Sequence, residues 1–458
     1  MYTSLHNHSE YSNLRLLDAI NKIPKMVDKC VALGLKGLAL TDHESLSGHI
    51  EYMNYVKAGK EKGTIPEDFK CILGDEIYLI DSLEEVQEHY QKGITKFYHF
   101  IVLAKDKVGH RQLRQISTQA WKNRFVQFGM ERVPITKTQL EEIIGQEKGH
   151  LIFSTACSGG ELAHAILADD YSRALRFIEW CLAIAGWQNF VLEMQPNDSV
   201  DQIKINKAIK SISEKMGIPY IITTDSHYLD KDLAPIHEAY LQSRGNEDRE
   251  VSDFYRSCYL MSAEEIHEWM DEQIGYDAVE EGLVNTNVIG DLIEEYDLYH
   301  SQVVPKVAIP HFELQNLFEE YYDRYRYIKK FACSSDNHDR YFLRLVEDGC
   351  ITKEHFTTLD ADTKEQIASR INDELEAIWE SSEQIGDKIS NYYITYRTIK
   401  DLVWDDSDKG GNSLVGDGRG SVAAFYTCYL MGVQDVNSFR FNIPYWRHLH
   451  KDRPEMPD

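Results

Sequence analysis

Three short runs in this sequence carry residue types that bind metal ions. His6-Asn7-His8 sets two imidazoles two residues apart. In a strand that spacing puts both on one face, where they can share an ion. Thr41-Asp42-His43 places a carboxylate beside a third imidazole, and Thr224-Asp225-Ser226-His227 repeats the alternation with Asp and His on one side. Taken singly, each run has a plain structural explanation: two solvated histidines at a strand end, or an Asp that caps the helix that follows. Taken together, they offer the mixture of nitrogen and oxygen ligands that borderline and hard divalent cations prefer.

These runs need a scaffold that brings them to one place. Up to about residue 230, strand-like segments alternate with amphipathic helical ones. Strands are expected at Thr3–His8, Lys36–Thr41, Lys70–Leu79, Lys96–Ala104, His150–Thr155, Phe190–Met194 and Tyr220–Thr224. Helices are expected between them, at Ala19–Leu33, Gly109–Ala120, Tyr171–Ala185 and Val200–Lys215. Such alternation predicts parallel strands joined by crossover helices, closing into a barrel-like sheet. His8, Asp42, His43, Asp225 and His227 then fall at C-terminal strand ends, the rim on which barrels place their chemistry. Helical patterns continue through Ala263–Met270 and Asp277–Glu295. The stretch Tyr299–Leu314, with Pro305 and Pro310 and no clear period, reads as a domain boundary. Beyond it, helices are expected at Gln315–Lys330, Asp339–Val346, Thr363–Lys388 and, after a Gly-rich turn from Lys409 to Ser421, at Val422–Met431.

The 458 residues, 43% hydrophobic and 27% charged, predict a globular chain of two or more domains and exclude disordered and collagen-like classes. Acidic residues outnumber basic ones 75 to 49, a formal charge of −26, so contact with nucleic acid must come from a local patch or through bound cations. The eight cysteines are scattered without a C-x-x-C pair, which argues against a zinc ribbon and a secreted disulfide frame. The opening residues have no signal-peptide pattern, and Glu179 interrupts the most apolar stretch, residues 173 to 191. A cytoplasmic protein with no membrane partner is expected.

HNHSEYS, ALTDHESL, GDEIYL, YHFIVLAK, STACSGGEL and TTDSHY follow one another in an order that resembles the polymerase-and-histidinol-phosphatase (PHP) domain at the start of bacterial DNA polymerase III alpha subunits. The resemblance continues through VPKVAIPHF, similar to a linker, ELEAIWESSEQIGDKISNYYITYRTI, similar to helices entering a palm, and VGDGRGSVAAFYTCYLMGVQDV, similar to a phosphate loop. It implies an α/β fold: a PHP-type distorted (β/α)7 barrel with a helical extension over 1–298, a linker over 299–315, and an incomplete polymerase beta-like nucleotidyltransferase palm over 316–458. The family's metal positions fall on His6, His8, Asp18, His43, Glu76, His99, Cys157, Asp225 and His227. Asp18 lies later than the common spacing because Asn13-Leu14-Arg15 lengthens its loop, and Cys157 and His99 would individually pass as core residues. The implied activity is a metal-dependent 3′ to 5′ exonuclease for proofreading, with zinc or manganese suited to the imidazole-rich set and magnesium to the palm. Relatives that have lost these ligands keep the domain as a scaffold for a proofreading partner, and a free-standing phosphoesterase of small phosphate esters is the other enzymatic reading.

In Gly416-Asp417-Gly418-Arg419-Gly420-Ser421 the glycines let backbone approach phosphate oxygens, and Ser421 at a helix N-cap would leave N–H groups facing an anion. The resemblance implies that Gly420, Ser421 and Arg419 hold an incoming deoxynucleoside triphosphate, Arg419 as a phosphate contact or as an ion-pair partner. The closing Pro454-Glu455-Met456-Pro457-Asp458 is similar to the start of a palm motif, with Asp458 its first catalytic carboxylate. Its sheet would break off within the motif, so the expectation is either a second polypeptide carrying the rest of the polymerase as a partner or a gene interrupted at this point, with DNA primer-template a further partner.

Overall fold

Ten strands build the first part of the chain: β1 Thr3–Ser4, β2 Gly37–Leu40, β3 Lys70–Ile80, β4 Tyr98–Ala104, β5 Phe125–Gln127, β6 Met130–Arg132, β7 Ile135–Thr136, β8 Leu151–Ser154, β9 Phe190–Met194 and β10 Tyr220–Ile222. This computed structural model describes every residue except 15, 92–94, 128–129, 244–252 and 454–458. The main sheet runs β1-β2-β3-β4-β8-β9-β10, with β7 joined to β3, while β5 and β6 form a separate hairpin. Strands β2, β8, β9 and β10 are buried along their whole length, as expected of strands covered on both faces. The sheet curls until its two edges meet: Asn7 and Ser226 form a parallel bridge, and His8 N donates to Ser226 O at 2.9 Å.

All seven expected strands form. The expectation of an all-parallel barrel does not hold, because β4 is antiparallel to both β3 and β8. The connection explains this. Between Ile80 and Tyr98 the one described helix is Leu83–Glu88, six residues long. At about 1.5 Å per helical residue it cannot carry the chain back along eleven-residue β3, so β4 starts at the rim and runs down.

The period of two divides the curled sheet into layers. Leu5, Ala39, Ile72, Ile101, Ile152, Val191 and Ile221, one from each strand of the sheet path or its immediate end, gather in one buried apolar cluster. Two or four positions along the same faces stand His43, Glu76, His99, Glu193 and Asp225. Apolar residues therefore fill the interior below, and ionisable ones lie above them.

The chain forms two compact units, Met1–Tyr299 and His300–Asp458. The second is helical: Arg326–Ala332, Asn337–Thr352, Ala361–Ile385, Ile389–Trp404 and Tyr426–Met431 pack around Phe331, Phe342, Ile371, Leu375, Tyr393 and Phe425. Among the described residues it contains no strand, so the expected broken palm sheet has no counterpart there. The helix expected at Gln315–Lys330 starts only at Arg326. Left-handed Asn316 interrupts it, and Gln315 N and Leu317 N donate instead to the Glu347 carboxylate at 2.7 and 2.9 Å.

Candidate metal centre

Backbone and side chains together set the His6-to-Ser12 turn. Asp42, which could have been a helix cap, instead accepts from Ser9 N at 2.6 Å and from Ser12 Oγ at 2.7 Å. Asn7 points away from the cluster, its Oδ1 accepting from Ser4 Oγ and Ser226 Oγ at 2.8 Å each. The two imidazoles flanking Asn7 converge, their Nε2 atoms 3.2 Å apart.

All nine expected ligand residues meet here. Glu76 Oε2 lies 2.7 Å from His6 Nε2 and 3.3 Å from His8 Nε2. Asp225 Oδ1 lies 3.2 and 3.0 Å from the same two nitrogens. The other Glu76 oxygen is 2.5 Å from His99 Nδ1 and 3.2 Å from His43 Nδ1. Asp18 reaches the centre despite its lengthened loop, with Oδ2 3.3 Å from His43 Nε2 and 3.4 Å from His227 Nε2. Asn13 Oδ1 accepts from Asp18 N at 2.8 Å and so ties Asp18 to the start of that loop. Cys157 Sγ lies 3.4 Å from His99 Nδ1. His99 departs from the expected rule in one respect. It sits at the N-terminal end of its strand, which is the rim end because β4 runs downward.

Two groups were missed in the sequence. Glu193 is 2% exposed and takes His6 Nδ1 at 2.7 Å, which turns Nε2 toward the cluster. A lone acid in the apolar run Phe-Val-Leu-Glu-Met was its signal. Cys258 offers a ligand atom within 4.8 Å of those of Asp225 and His227, and nothing in its neighbourhood in the sequence marks it.

The electrostatics suit a cation. Burial alone would push the His6 and His8 pKa values down, yet the surrounding carboxylates raise both, His8 to about 9. Burial would raise Glu76, Asp18 and Asp225, but the imidazoles hold all three below the usual carboxylate range. Burial, with Asp225 and Glu76 nearby, pushes the Cys157 thiol well up. The positive charge that these carboxylates favour on His6 and His8 stands where a dication would, and metal binding would release those protons. Asp18 Oδ1 is buried without a hydrogen-bond partner, and the inward oxygens of Glu76 and Asp225 face imidazole nitrogens, so the donor set fits divalent ions. Non-glycine residues in the left-handed region gather here as well: Glu44 (φ 48), Ala156 (φ 58) and Asp225 itself (φ 47). Strain of this kind concentrates at functional sites.

In the second unit Gly420 has φ +72, and an added side chain would meet nothing within 4 Å. The expectation that Ser421 caps a continuous helix fails: Ser421–Ala424 is a 3-10 turn, Phe425 is extended, and the α-helix starts at Tyr426. That helix start is filled from within. The buried Glu374 carboxylate accepts from Tyr426 N and Thr427 N at 2.8 Å each, and Arg370 Nε holds it at 2.6 Å. Ser421 Oγ faces His448 Nδ1 at 3.0 Å, and Arg419 is exposed. Asp458 lies outside the described residues.

Two family models match the chain. Residues 4–197 match the PHP domain, and residues 340–458 match the bacterial DNA polymerase III alpha NTPase domain. The chain combines these two domains. A DNA-directed DNA polymerase of Bacillus phage SPbeta is 42% identical to it over 467 residues, 99% of this chain and 36% of that protein. The DNA polymerase III subunit alpha of Borreliella burgdorferi is 26% identical over 472 residues, 100% of this chain and 34% of that protein. That of Campylobacter jejuni is 26% identical over 473 residues, 100% and 35% respectively. The chain thus spans about a third of the length of these curated relatives. Among its described residues no helix is long and apolar enough to cross a membrane.

Proposed function

We propose that this chain is the N-terminal portion of a replicative DNA polymerase of the polymerase III alpha type, and that its PHP domain is a metal-dependent 3′ to 5′ exonuclease serving proofreading. The observation that carries the reading is the convergence of His6, His8, Glu76 and Asp225, all buried, with ligand atoms within 4.8 Å of one another. Zinc or manganese held there would activate water and neutralise charge developing on a phosphate. The chain's own residues prepare that chemistry. Glu193 fixes the His6 tautomer, Glu76 spans the imidazoles on both sides, and Tyr78 holds His43 Nδ1 at 2.9 Å. His99, whose side chain is 26% exposed, is the most open of the imidazole ligands and marks the side from which a strand end would enter.

The NTPase domain, on the same reading, contributes Gly420, Ser421 and Arg419 to an incoming deoxynucleoside triphosphate and Asp458 to a magnesium-binding palm. Because Glu374 already fills the nearby helix start, the triphosphate contact would rest on loop backbone and on the Ser421 hydroxyl. The nuclease is tested with zinc- or manganese-loaded protein on a 5′-labelled single strand. A ladder of 3′-shortened products is expected from the parent, and none from His8→Ala or Asp225→Asn. Equal digestion by parent and variants, or none by any, refutes the reading.

A further inference from the structure

A second feature on the same rim takes no part in the ligand set. Lys137, Arg173 and Arg176 stand around a cavity of 330 Å3 with Phe177 and Trp180 in its wall. Neighbouring residues tie it to the candidate metal centre. β3 gives Glu76 to the centre and, just past its end, Asp81 to the cavity. The turn after β8 gives Cys157 to the centre and Glu161 to the cavity. Next to His99, the Tyr98 ring lies 4.8 Å beneath the Arg173 guanidinium.

Two of the cations, Lys137 and Arg173, are fixed in place. Glu161 is 4% exposed, and its carboxylate holds Lys137 Nζ at 2.7 Å on one oxygen and Arg173 Nε at 3.2 Å on the other. Trp180 and Phe177 add cation–π contacts to Lys137 at 5.5 and 5.7 Å. The remaining partner of Lys137 is Asp81, whose side chain is 69% exposed. Asp81 stands largely in solvent, so an incoming phosphate oxygen can take its place on Lys137. Arg176 is exposed. In a chain with 75 acidic and 49 basic residues, this wall carries three cations against two carboxylates.

We infer that this cavity seats a backbone phosphate of a single DNA strand whose terminal ester lies at the metal centre. Choosing DNA as the ligand rests on the nuclease reading above; the phosphate seat itself rests on Lys137, Arg173 and Arg176. Pre-set cations bind a phosphate without the entropy cost of ordering long side chains. Lys137 and Arg173 also support buried Glu161, so exposed Arg176 is the residue to change.

The test measures binding of a fluorescein-labelled oligothymidylate to the 458-residue protein by anisotropy, in chelator so that nothing is cleaved, over a series of salt concentrations. Each phosphate contact contributes about 0.7 to the slope of log affinity against log salt for single strands. Arg176→Gln is expected to lower that slope by about 0.7, and Arg176→Glu by more, with the metal-linked rise in Tm kept in both. Affinity and slope equal to the parent's in both variants would overturn the seat, as would loss of the metal-linked rise alongside binding. An Arg176-dependent slope in a protein that digests no DNA when loaded with metal would uphold the seat and sink the nuclease. Digestion with no Arg176 dependence of binding would do the reverse.

Discussion

Asp225→Asn probes the centre with little damage to the fold. Asp225 holds φ 47, and Asn is among the few residues that adopt the left-handed region readily, so the backbone is expected to keep its course. Asp225 Oδ1 lies 3.0 Å from His8 Nε2 and 3.2 Å from His6 Nε2, so any ion shared by the two imidazoles must meet it. It is also one of two carboxylates in the buried group His6, His8, Glu76 and Asp225. Changing a residue that merely supports a ligand weakens metal affinity ten- to a hundredfold, so losing this ligand should cost about a hundredfold or more. With free metal at a thousand times the parent's Kd, binding stabilises the parent by about 4 kcal/mol and the variant by about 1.4 kcal/mol. For a unit of this size, at roughly 2 °C per kcal/mol, the metal-linked rise in Tm should be about 8 °C in the parent and about 3 °C in the variant. Scanning calorimetry with and without zinc or manganese measures both. An equal rise in the two proteins would refute the assignment of Asp225 as a ligand.

Other outcomes follow from the buried charges. The folded pKa of His8, about 9, lies above its unfolded value, so its contribution is full below about pH 6.5 and is lost as pH rises through about 9. Metal-free protein should therefore lose ~3 kcal/mol from this group over that window, and His8→Gln should flatten the loss in calorimetry. His49 and His110 have the opposite sign: burial lowers them to about 3 and about 4, and they face one another at 3.1 Å, so their contribution is present above pH 6.5 and lost as pH falls. At pH 5 that loss is ~2 kcal/mol for each, and His110→Gln should remove about half of the acid sensitivity of metal-free protein. Glu374→Ala removes the carboxylate partner of half-buried Arg370 and leaves the Tyr426 and Thr427 N–H groups unpaired, so chemical denaturation of the second unit should show a loss of about 3–5 kcal/mol, with metal binding in the first unit unchanged.

What the sequence made legible follows from how locally each feature is encoded. His6 and His8 could be paired from their spacing alone, because an alternating strand fixes their common face whatever surrounds it. The strands β2, β8, β9 and β10 could be found as buried apolar runs. The direction of β4 could not, because an apolar run reads the same in both directions and the short Leu83–Glu88 connection decides it. Asp42 could be read as a cap because its bonds to Ser9 and Ser12 form across 30 or more residues. Cys258 joins the centre only through the tertiary fold. The break at Phe425 depends on Glu374, more than 50 residues away, which offers the following N–H groups a buried carboxylate.

The central claim is that the rim residues hold divalent metal. Anomalous diffraction from crystals of zinc- or manganese-loaded protein, recorded at the metal absorption edge, tests it most directly. The account predicts strong peaks within bonding distance of His6, His8, Glu76 and Asp225, with a further peak among His43, His227 and Asp18. Loaded crystals with no anomalous density at these residues, or with metal bound only elsewhere, would contradict it.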